Sequence, residues 1–303
     1  MADYKKIVRS SQFTFRVGKD KEPMTIHAAL LQGLSDPLHV LMNNGHMRES
    51  QAGVAILDDV EVEIFIGFCE YAYTGLYETP DFSPAQPAEP SSSQNSIDDN
   101  VPEPEPAEAE PEPVAEEPTN HEFWDGWDGW GSLTRRKKLR EASKKGIPDR
   151  IVIPESEPEP HPSAVPNIVY PYDSLWERFR SLKFRSEPAS PSSDPDVLFH
   201  AKLYVFATKY LIEDLRQQCL ASMHRDLTNF SPNRENRSRI LDLLDFTYTH
   251  TGRAEAGGES PLRDLVIHYV ACEARTLADD EKLTEILDSN AEVGSDLVLK
   301  LVS

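Results

Sequence analysis

The sequence predicts an α+β fold, in which a small mixed sheet is flanked by a helical cluster and a long insertion separates two folded parts. Three observations predict it. Short stretches near the start alternate apolar and polar residues, which is the period of a strand. Several later stretches repeat apolar residues at helical spacing. Between them, residues 81–195 hold 19 of the 24 prolines, which interrupt helices and sheets alike.

The first predicted elements are two strands that form a hairpin. Phe13, Phe15 and Val17 alternate with polar neighbours, and "MTIHAAL" begins a second strand after the turn-forming stretch "KDKEP". From His27 onward the apolar spacing becomes helical. The hairpin is therefore expected to lead directly into a helix.

A second short helix and a third strand are expected next. Ser35 is placed to cap a helix that has Pro37 in its first turn. The stretch "NNGHMRES" (residues 43–50) has the composition of a loop, and "GVAIL" is a short run of the kind found in strands.

A longer helix is predicted after the third strand. Asp58 and Asp59 are candidate caps for its start, and Gly75 can adopt the left-handed conformation that closes a helix. Its apolar positions share helical spacing, and they are Ile64, Phe65, Phe68, Cys69 and Ala72. The first folded part is expected to end near residue 80.

Residues 81–195 are predicted to be a disordered acidic, proline-rich insertion. They carry 23 acidic and 12 basic residues, and residues 81–130 contain 14 acids and no base. Proline and like-charge repulsion both oppose a stable helix there. Within this stretch one segment has helical apolar spacing, at Leu175, Trp176, Phe179 and Leu182. That segment is expected either to dock on the folded part or to await a partner.

Helices are predicted from Asp196 to the end of the sequence. The first two lie in "DVLFHAKLYVFATKYLIEDLRQQCLASMHRDL". Their expected inward residues are Leu198, Ala201, Val205 and Phe206 in the first helix and Leu211 or Ile212, Leu215, Cys219 and Met223 in the second. Three further helical stretches follow, and "GSDLVLKLVS" is predicted to be a last turn or short helix.

This order of elements resembles a BTB/POZ domain of the type found in fungal proteins. The resemblance is carried by the strand-to-helix entry at His27, by Asp58-Asp59 before a helix that closes with the stretch 71–75, and by a late helical pair. In that pair the matching residues are Ala207, Lys209, Tyr210, Leu215 and Cys219. The resemblance implies four regions: residues 1–80 and 196–226 form the BTB/POZ domain, 81–195 the insertion, and 227–303 a helical extension similar to a BACK domain.

The resemblance implies a non-enzymatic protein–protein interaction module. BTB proteins that bind a cullin scaffold of ubiquitin ligases often carry a hydrophobic-x-Glu motif, and Met47-Arg48-Glu49 matches it. An exposed methionine can enter an apolar pocket of a partner, while the glutamate sets the register. The alternative interpretation of this stretch is an ordinary solvated loop. The family also implies a possible homodimer, although the segment before Phe13 is short.

Two motifs in the insertion are further candidates for binding. "WDGWDGW" places Trp124, Trp127 and Trp130 in a polar stretch, where they either anchor a partner or dock weakly on this chain. A basic run is either a nuclear import signal or a set of bases that neutralises nearby acids, and it contains Arg135, Arg136, Lys137 and Lys138. The alternative function is therefore a scaffold or transcriptional co-regulator that acts through the acidic, aromatic insertion.

The remaining residues argue against several classes of function. No nucleophile, base and oxyanion donor converge in a recognisable motif, so the chain is not expected to be an enzyme or to bind a cofactor or metal. The net charge of −21 repels phosphates, so nucleic-acid binding is not expected. The three cysteines are widely spaced and predicted to be buried thiols. With no signal peptide and no long apolar run, the sequence predicts an intracellular protein of the cytoplasm or nucleus.

Overall fold

The computed structural model describes residues 4–83, 171–255 and 258–302. These residues form a mixed α and β structure that is mostly helical and contains one three-stranded sheet. The predicted α+β class is confirmed at this level. Buried side chains from both sides of the gap at 84–170 belong to one hydrophobic core.

The sheet is built from the predicted hairpin and the predicted third strand. After a short helix α1 (Tyr4–Val8), strand β1 (Gln12–Val17) pairs antiparallel with β2 (Glu22–His27) and parallel with β3 (Val54–Leu57). The strand order is β2-β1-β3, which leaves β3 at one edge. Phe13, Phe15 and Val17 are buried, because alternate side chains of β1 face the helices.

The connection from β2 to β3 differs from the prediction in two places: the helix expected after His27 is a single 3-10 turn, and a short helix lies in the expected loop. A single 3-10 turn (Ala28–Leu31) follows His27, and helix α2 (Asp36–Asn43) begins after Ser35, whose hydroxyl oxygen accepts a hydrogen bond from the Leu38 amide at 3.3 Å. The stretch 43–50 is only partly a loop, since helix α3 (Arg48–Ala52) begins within it. Loop-forming residues fill the first half of this stretch. Its overall composition therefore does not indicate the short helix that begins in the second half.

Helix α4 (Val62–Thr74) ends as predicted but begins differently. Gly75 closes it with a φ of 84°, in the left-handed region. The cap position at its start is Glu61, whose side chain makes no capping bond, so the prediction that Asp58 and Asp59 cap this helix is wrong. Asp59 instead pairs with Lys209. A carboxylate near a helix start therefore serves here to link two elements.

Helix α5 (Pro171–Arg180) lies inside the stretch that was predicted to be disordered. Leu175 and Phe179 are buried against the C-terminal helices, with 3% and 0% of their surface exposed. Of the two alternatives for this segment, docking on the folded part is therefore the one observed. Residues 171–195 belong to the folded part, and the predicted boundary at residue 195 lies too late in the chain.

The rest of the described chain is mainly helical. Asp196 caps the first helix, and a short antiparallel hairpin interrupts the series. The elements are α6 (Val197–Lys209), α7 (Glu213–Asn229), α8 (Arg237–His250), β4 (Ala254–Glu255), β5 (Gly258–Glu259), α9 (Pro261–Cys272), α10 (Ala274–Leu277), α11 (Glu281–Ser289) and α12 (Ala291–Val302). The last helix begins three residues before the stretch that was predicted to be a last turn or short helix.

Helix α6 is buried on more sides than one apolar stripe predicts. It packs against α4, α7 and α8, so Phe199, Leu203 and Tyr204 are buried, while Leu198 and Val205 are only half-buried. A helix surrounded by others has no single inward face, and periodicity alone therefore assigned its inner residues only in part. In the turn that follows, Leu211 is exposed and Ile212 is buried.

The contact between α4 and α6 joins the two sides of the gap. The rings of Phe68 and Phe206 are 4.9 Å apart, centre to centre, and those of Phe65 and Phe206 are 6.4 Å apart. Gly67 permits this close approach, because a Cβ atom at its position would lie 2.6 Å from the Phe199 ring. The hydroxyl of Ser35 also donates to the Tyr210 carbonyl at 2.7 Å.

Candidate functional site

The predicted interaction motif lies at the start of α3. Met47 occupies the cap position in an extended conformation, and its carbonyl oxygen accepts hydrogen bonds from the Ser50 hydroxyl at 2.9 Å and the Gln51 amide at 3.1 Å. The backbone of the motif is thus fixed by its own helix. Met47 and Glu49 are half-buried and Arg48 between them is exposed. Parts of both motif side chains therefore reach the surface.

Two elements that pack against α3 also carry exposed aliphatic side chains. Val40 on α2 is 48% exposed, and Ile56 on the edge strand β3 is 55% exposed. Branched apolar side chains on rigid elements lose little conformational entropy when a partner covers them. The region around α3 therefore offers apolar contacts on a well-ordered framework.

A second site, which sequence reasoning missed, is a buried polar network that joins the two sides of the gap. His200 on α6 lies between the Tyr77 hydroxyl, at 2.8 Å from its Nδ1 atom, and the Asp226 carboxylate, at 2.9 Å from its Nε2 atom. Arg225 donates to the same carboxylate at 2.7 Å. We assign the proton of a neutral His200 to Nε2, so that it donates to Asp226 and accepts from Tyr77.

Burial governs the protonation of this network. It lowers the pKa of His200 below its usual 6.5, and this effect outweighs the opposing hydrogen bond with Asp226. For Asp226, burial alone would raise the pKa, but hydrogen bonds from His200 and Arg225 hold it below the usual 3.8. At neutral pH the network therefore contains a neutral imidazole, a carboxylate and a guanidinium.

The stability of the protein is expected to fall as the pH is lowered from 7.5 to 5.5. In this range the unfolded chain binds a proton at His200 near pH 6.5, whereas the folded chain binds it less readily, so the free energy of unfolding falls by up to about 1.4 kcal/mol from this residue. The stability that Asp226 contributes is present above pH 3.8 and is lost only below it, outside this range. Urea unfolding at several pH values measures how steeply the free energy of unfolding changes with pH.

The variant His200→Gln is the control for this pH dependence, because an amide can donate and accept without titrating. The pKa values of His224 and His268 are also lowered by burial. Both residues make the same contribution to the pH dependence of stability in the variant as in the unmodified protein. The difference in slope therefore isolates His200. Equal slopes in the two proteins would show that the folded chain binds a proton at His200 as readily as the unfolded chain does.

In the same region the segment that leads toward residue 84 pairs with the segment that precedes α6. We call this region the neck and define it as residues 77–82 together with residues 189–196. The Phe82 amide donates to the Asp194 carbonyl at 2.8 Å, and the Asp196 amide donates to the Pro80 carbonyl at 3.0 Å. At the surface, the Asp81 carboxylate accepts from the hydroxyl of Ser192 and, at 3.3 Å, from that of Ser193. The hydrogen bond from Ser192 is the main cause of the lowered pKa of Asp81.

The other predicted site residues have different outcomes. The tryptophans Trp124, Trp127 and Trp130 and the basic residues Arg135, Arg136, Lys137 and Lys138 lie outside the described residues. Cys219 and Cys272 are buried and Cys69 is half-buried. Burial raises the pKa of Cys69 and of Cys272 to about 12, which keeps both thiols protonated and unreactive at neutral pH.

Among residues 4–83, 171–255 and 258–302, no group of three or more His, Cys, Asp or Glu side chains is arranged to bind a metal ion. No helix among the same residues combines the length and the apolar character that crossing a bilayer requires.

Comparison of the sequence with models of known protein families and with curated proteins finds no match.

Proposed function

We propose that this chain is a non-enzymatic protein-interaction scaffold of the BTB/POZ type that brings a bound protein to a cullin-based ubiquitin ligase. The observation that carries the proposal is the presentation of Met47 and Glu49 at the start of α3 on a fixed backbone. The order of the hairpin, the helical connection, β3, α4 and the α6–α7 pair supports the resemblance on which the cullin partner rests.

The chemistry of this surface suits a protein partner. A thioether side chain adapts to an apolar pocket, and the neighbouring Glu49 carboxylate can accept hydrogen bonds from the rim of that pocket. The exposed Val40 and Ile56 side chains, on two elements that pack against α3, would enlarge the apolar contact. Binding would then depend on a few side chains near the centre of the contact.

Pull-down of the full chain with a purified cullin N-terminal domain tests the proposal. Met47→Ala and Glu49→Lys are each expected to weaken binding about 30-fold, which corresponds to a central contact of about 2 kcal/mol. Arg48→Ala is the matched control, because Arg48 lies between them and is exposed. It is expected to change the affinity less than about threefold.

Two results would contradict the proposal. The first is a folded, intact protein that does not retain the cullin domain at micromolar concentration. The second is equal binding by the three variants, which would place the contact elsewhere. Circular dichroism of each variant confirms that a loss of binding is not a loss of folding.

A further inference from the structure

The outer part of the neck contains an exposed serine with acidic residues after it. Ser193 is exposed, and Asp194 and Asp196 follow it at the first and third positions. Acidic residues at these positions favour a kinase whose substrate cleft is basic, because substrate selection by kinases depends on charge pattern. We propose that Ser193 is a phosphorylation site and that its modification opens the neck.

The modification is a phosphoryl transfer from a nucleoside triphosphate. The Ser193 hydroxyl oxygen attacks the γ-phosphorus, a new Oγ–P bond forms, and the bond from the γ-phosphorus to its bridging oxygen breaks. The nucleoside diphosphate leaves with that electron pair, and the hydroxyl proton passes to a base of the kinase and then to water. No group of this chain other than Ser193 takes part in the transfer.

Phosphorylation reverses the hydrogen bonding at Asp81. The Ser193 hydroxyl is 3.3 Å from an oxygen of the Asp81 carboxylate and donates to it. A phosphate dianion has strong acceptor oxygens and no proton to donate, so the attraction becomes a repulsion between two anions. The same Asp81 oxygen accepts from Ser192 and, at 3.4 Å, from the Asp194 amide, so moving Asp81 weakens all three bonds.

The charges around the neck do not compensate the added phosphate. A surface cleft of about 280 Å³ adjoins Ser193 and is lined by Asp194, Asp226, Arg225 and Arg239. Arg225 already pairs with Asp226, and Arg239 already pairs with Asp194 at 2.8 Å. When Asp81 and Asp196 are counted with these four residues, the set has four acidic and two basic side chains. About two further negative charges would therefore be repelled.

Two of the four backbone hydrogen bonds that hold the neck closed lie next to the modified residue. They are the bond from the Phe82 amide to the Asp194 carbonyl and the bond from the Asp196 amide to the Pro80 carbonyl. Both join the segment that leads toward residue 84 to the segment that precedes helix α6. Loss of these bonds would separate these two segments.

The test treats the purified full chain with ATP and an acid-directed serine kinase of the casein kinase class. Mass spectrometry of the peptide that spans the neck is expected to place one phosphate on Ser193. Amide hydrogen exchange at Phe82 and Asp196 is expected to become at least about tenfold faster, while exchange at Phe65 in α4 stays unchanged.

Three variants complete the test. Ser192→Ala is expected to keep the phosphorylation, and Ser193→Ala is expected to abolish both the phosphate and the faster exchange. In phosphorylated Asp81→Asn the acceleration should be smaller, because one of the two repelling anions is gone. Absence of phosphate on Ser193, while a control peptide in the same tube is modified, would overturn the proposal. Phosphate on Ser193 with unchanged exchange at Phe82 and Asp196 would overturn it as well.

Discussion

Deleting residues 81–195 is expected to abolish cooperative folding, whereas replacing only residues 84–170 with about 20 glycine and serine residues is expected to preserve it. The larger deletion removes Leu175, Phe179 and Ala189 from the core and removes one side of the neck. Each large apolar side chain lost from a core costs about 2–5 kcal/mol, against a total stability of about 5–15 kcal/mol. The shorter loop changes the closure entropy by only about 1 kcal/mol.

Urea unfolding followed by circular dichroism compares the two deletions, and a point variant isolates helix α5. Phe179→Ala should lower the free energy of unfolding by about 3–5 kcal/mol, because its ring is completely buried. Glu177→Ala on the same helix is the matched control, and its exposed side chain predicts a change within about 0.5 kcal/mol. Equal stability of the two deletion proteins would mean that α5 contributes nothing to the fold.

Residues 1–83 alone are expected to remain unfolded, although they contain the whole three-stranded sheet. Phe65 and Phe68 are fully buried, and the side chains that pack on them include Phe206 from the other side of the gap. Ser35 and Tyr77 would also lose their partners, the Tyr210 carbonyl and His200. The isolated fragment should show no cooperative urea transition by circular dichroism.

Adding a fragment of residues 171–303 should restore a single cooperative transition if the two pieces share one core. The same fragment with Phe206→Ala serves as the control. It should bind at least about 100-fold more weakly, since losing a buried phenylalanine costs about 3–5 kcal/mol. Cooperative unfolding of residues 1–83 by themselves would contradict the shared core.

Local pattern predicted the regular elements well where a helix or strand has one buried face. The alternation of Phe13, Phe15 and Val17 predicted β1, and the Ser35-Asp36-Pro37 sequence predicted the start of α2. Gly75 marked the end of α4 for the same local reason. Each of these signals acts over a few residues and needs no knowledge of the tertiary contacts.

Predictions failed where tertiary contacts decide the outcome. Composition assigned α5 to the insertion, because the prolines and acids around it outweighed four apolar residues. Helix α5 is stabilised by packing against α9, which no local window contains. For the same reason the start of α4 was misassigned, since Asp59 pairs with the distant Lys209.

The two candidate sites differ in the same way, since one is visible as a local motif and the other is formed by residues distant in the sequence. Met47 and Glu49 were found because a three-residue motif is visible in the chain. The network of Tyr77, His200 and Asp226 joins residues that are up to 149 positions apart in the numbering, and none of them stands out in its own segment. Only the hydrogen bonds of the buried His200 with Tyr77 and Asp226 show that its imidazole connects the two sides of the gap.

The distance along the chain between Tyr77 and His200 has a consequence for biosynthesis. At about 5–20 residues per second, a ribosome needs about 6–25 s to add the 123 positions that separate them. During that interval the aromatic side of α4 has left the translation site, while α6, which covers it, does not yet exist. Nascent chains of this protein should therefore require holding chaperones, and faster elongation through codons 84–170 should raise the yield of native protein.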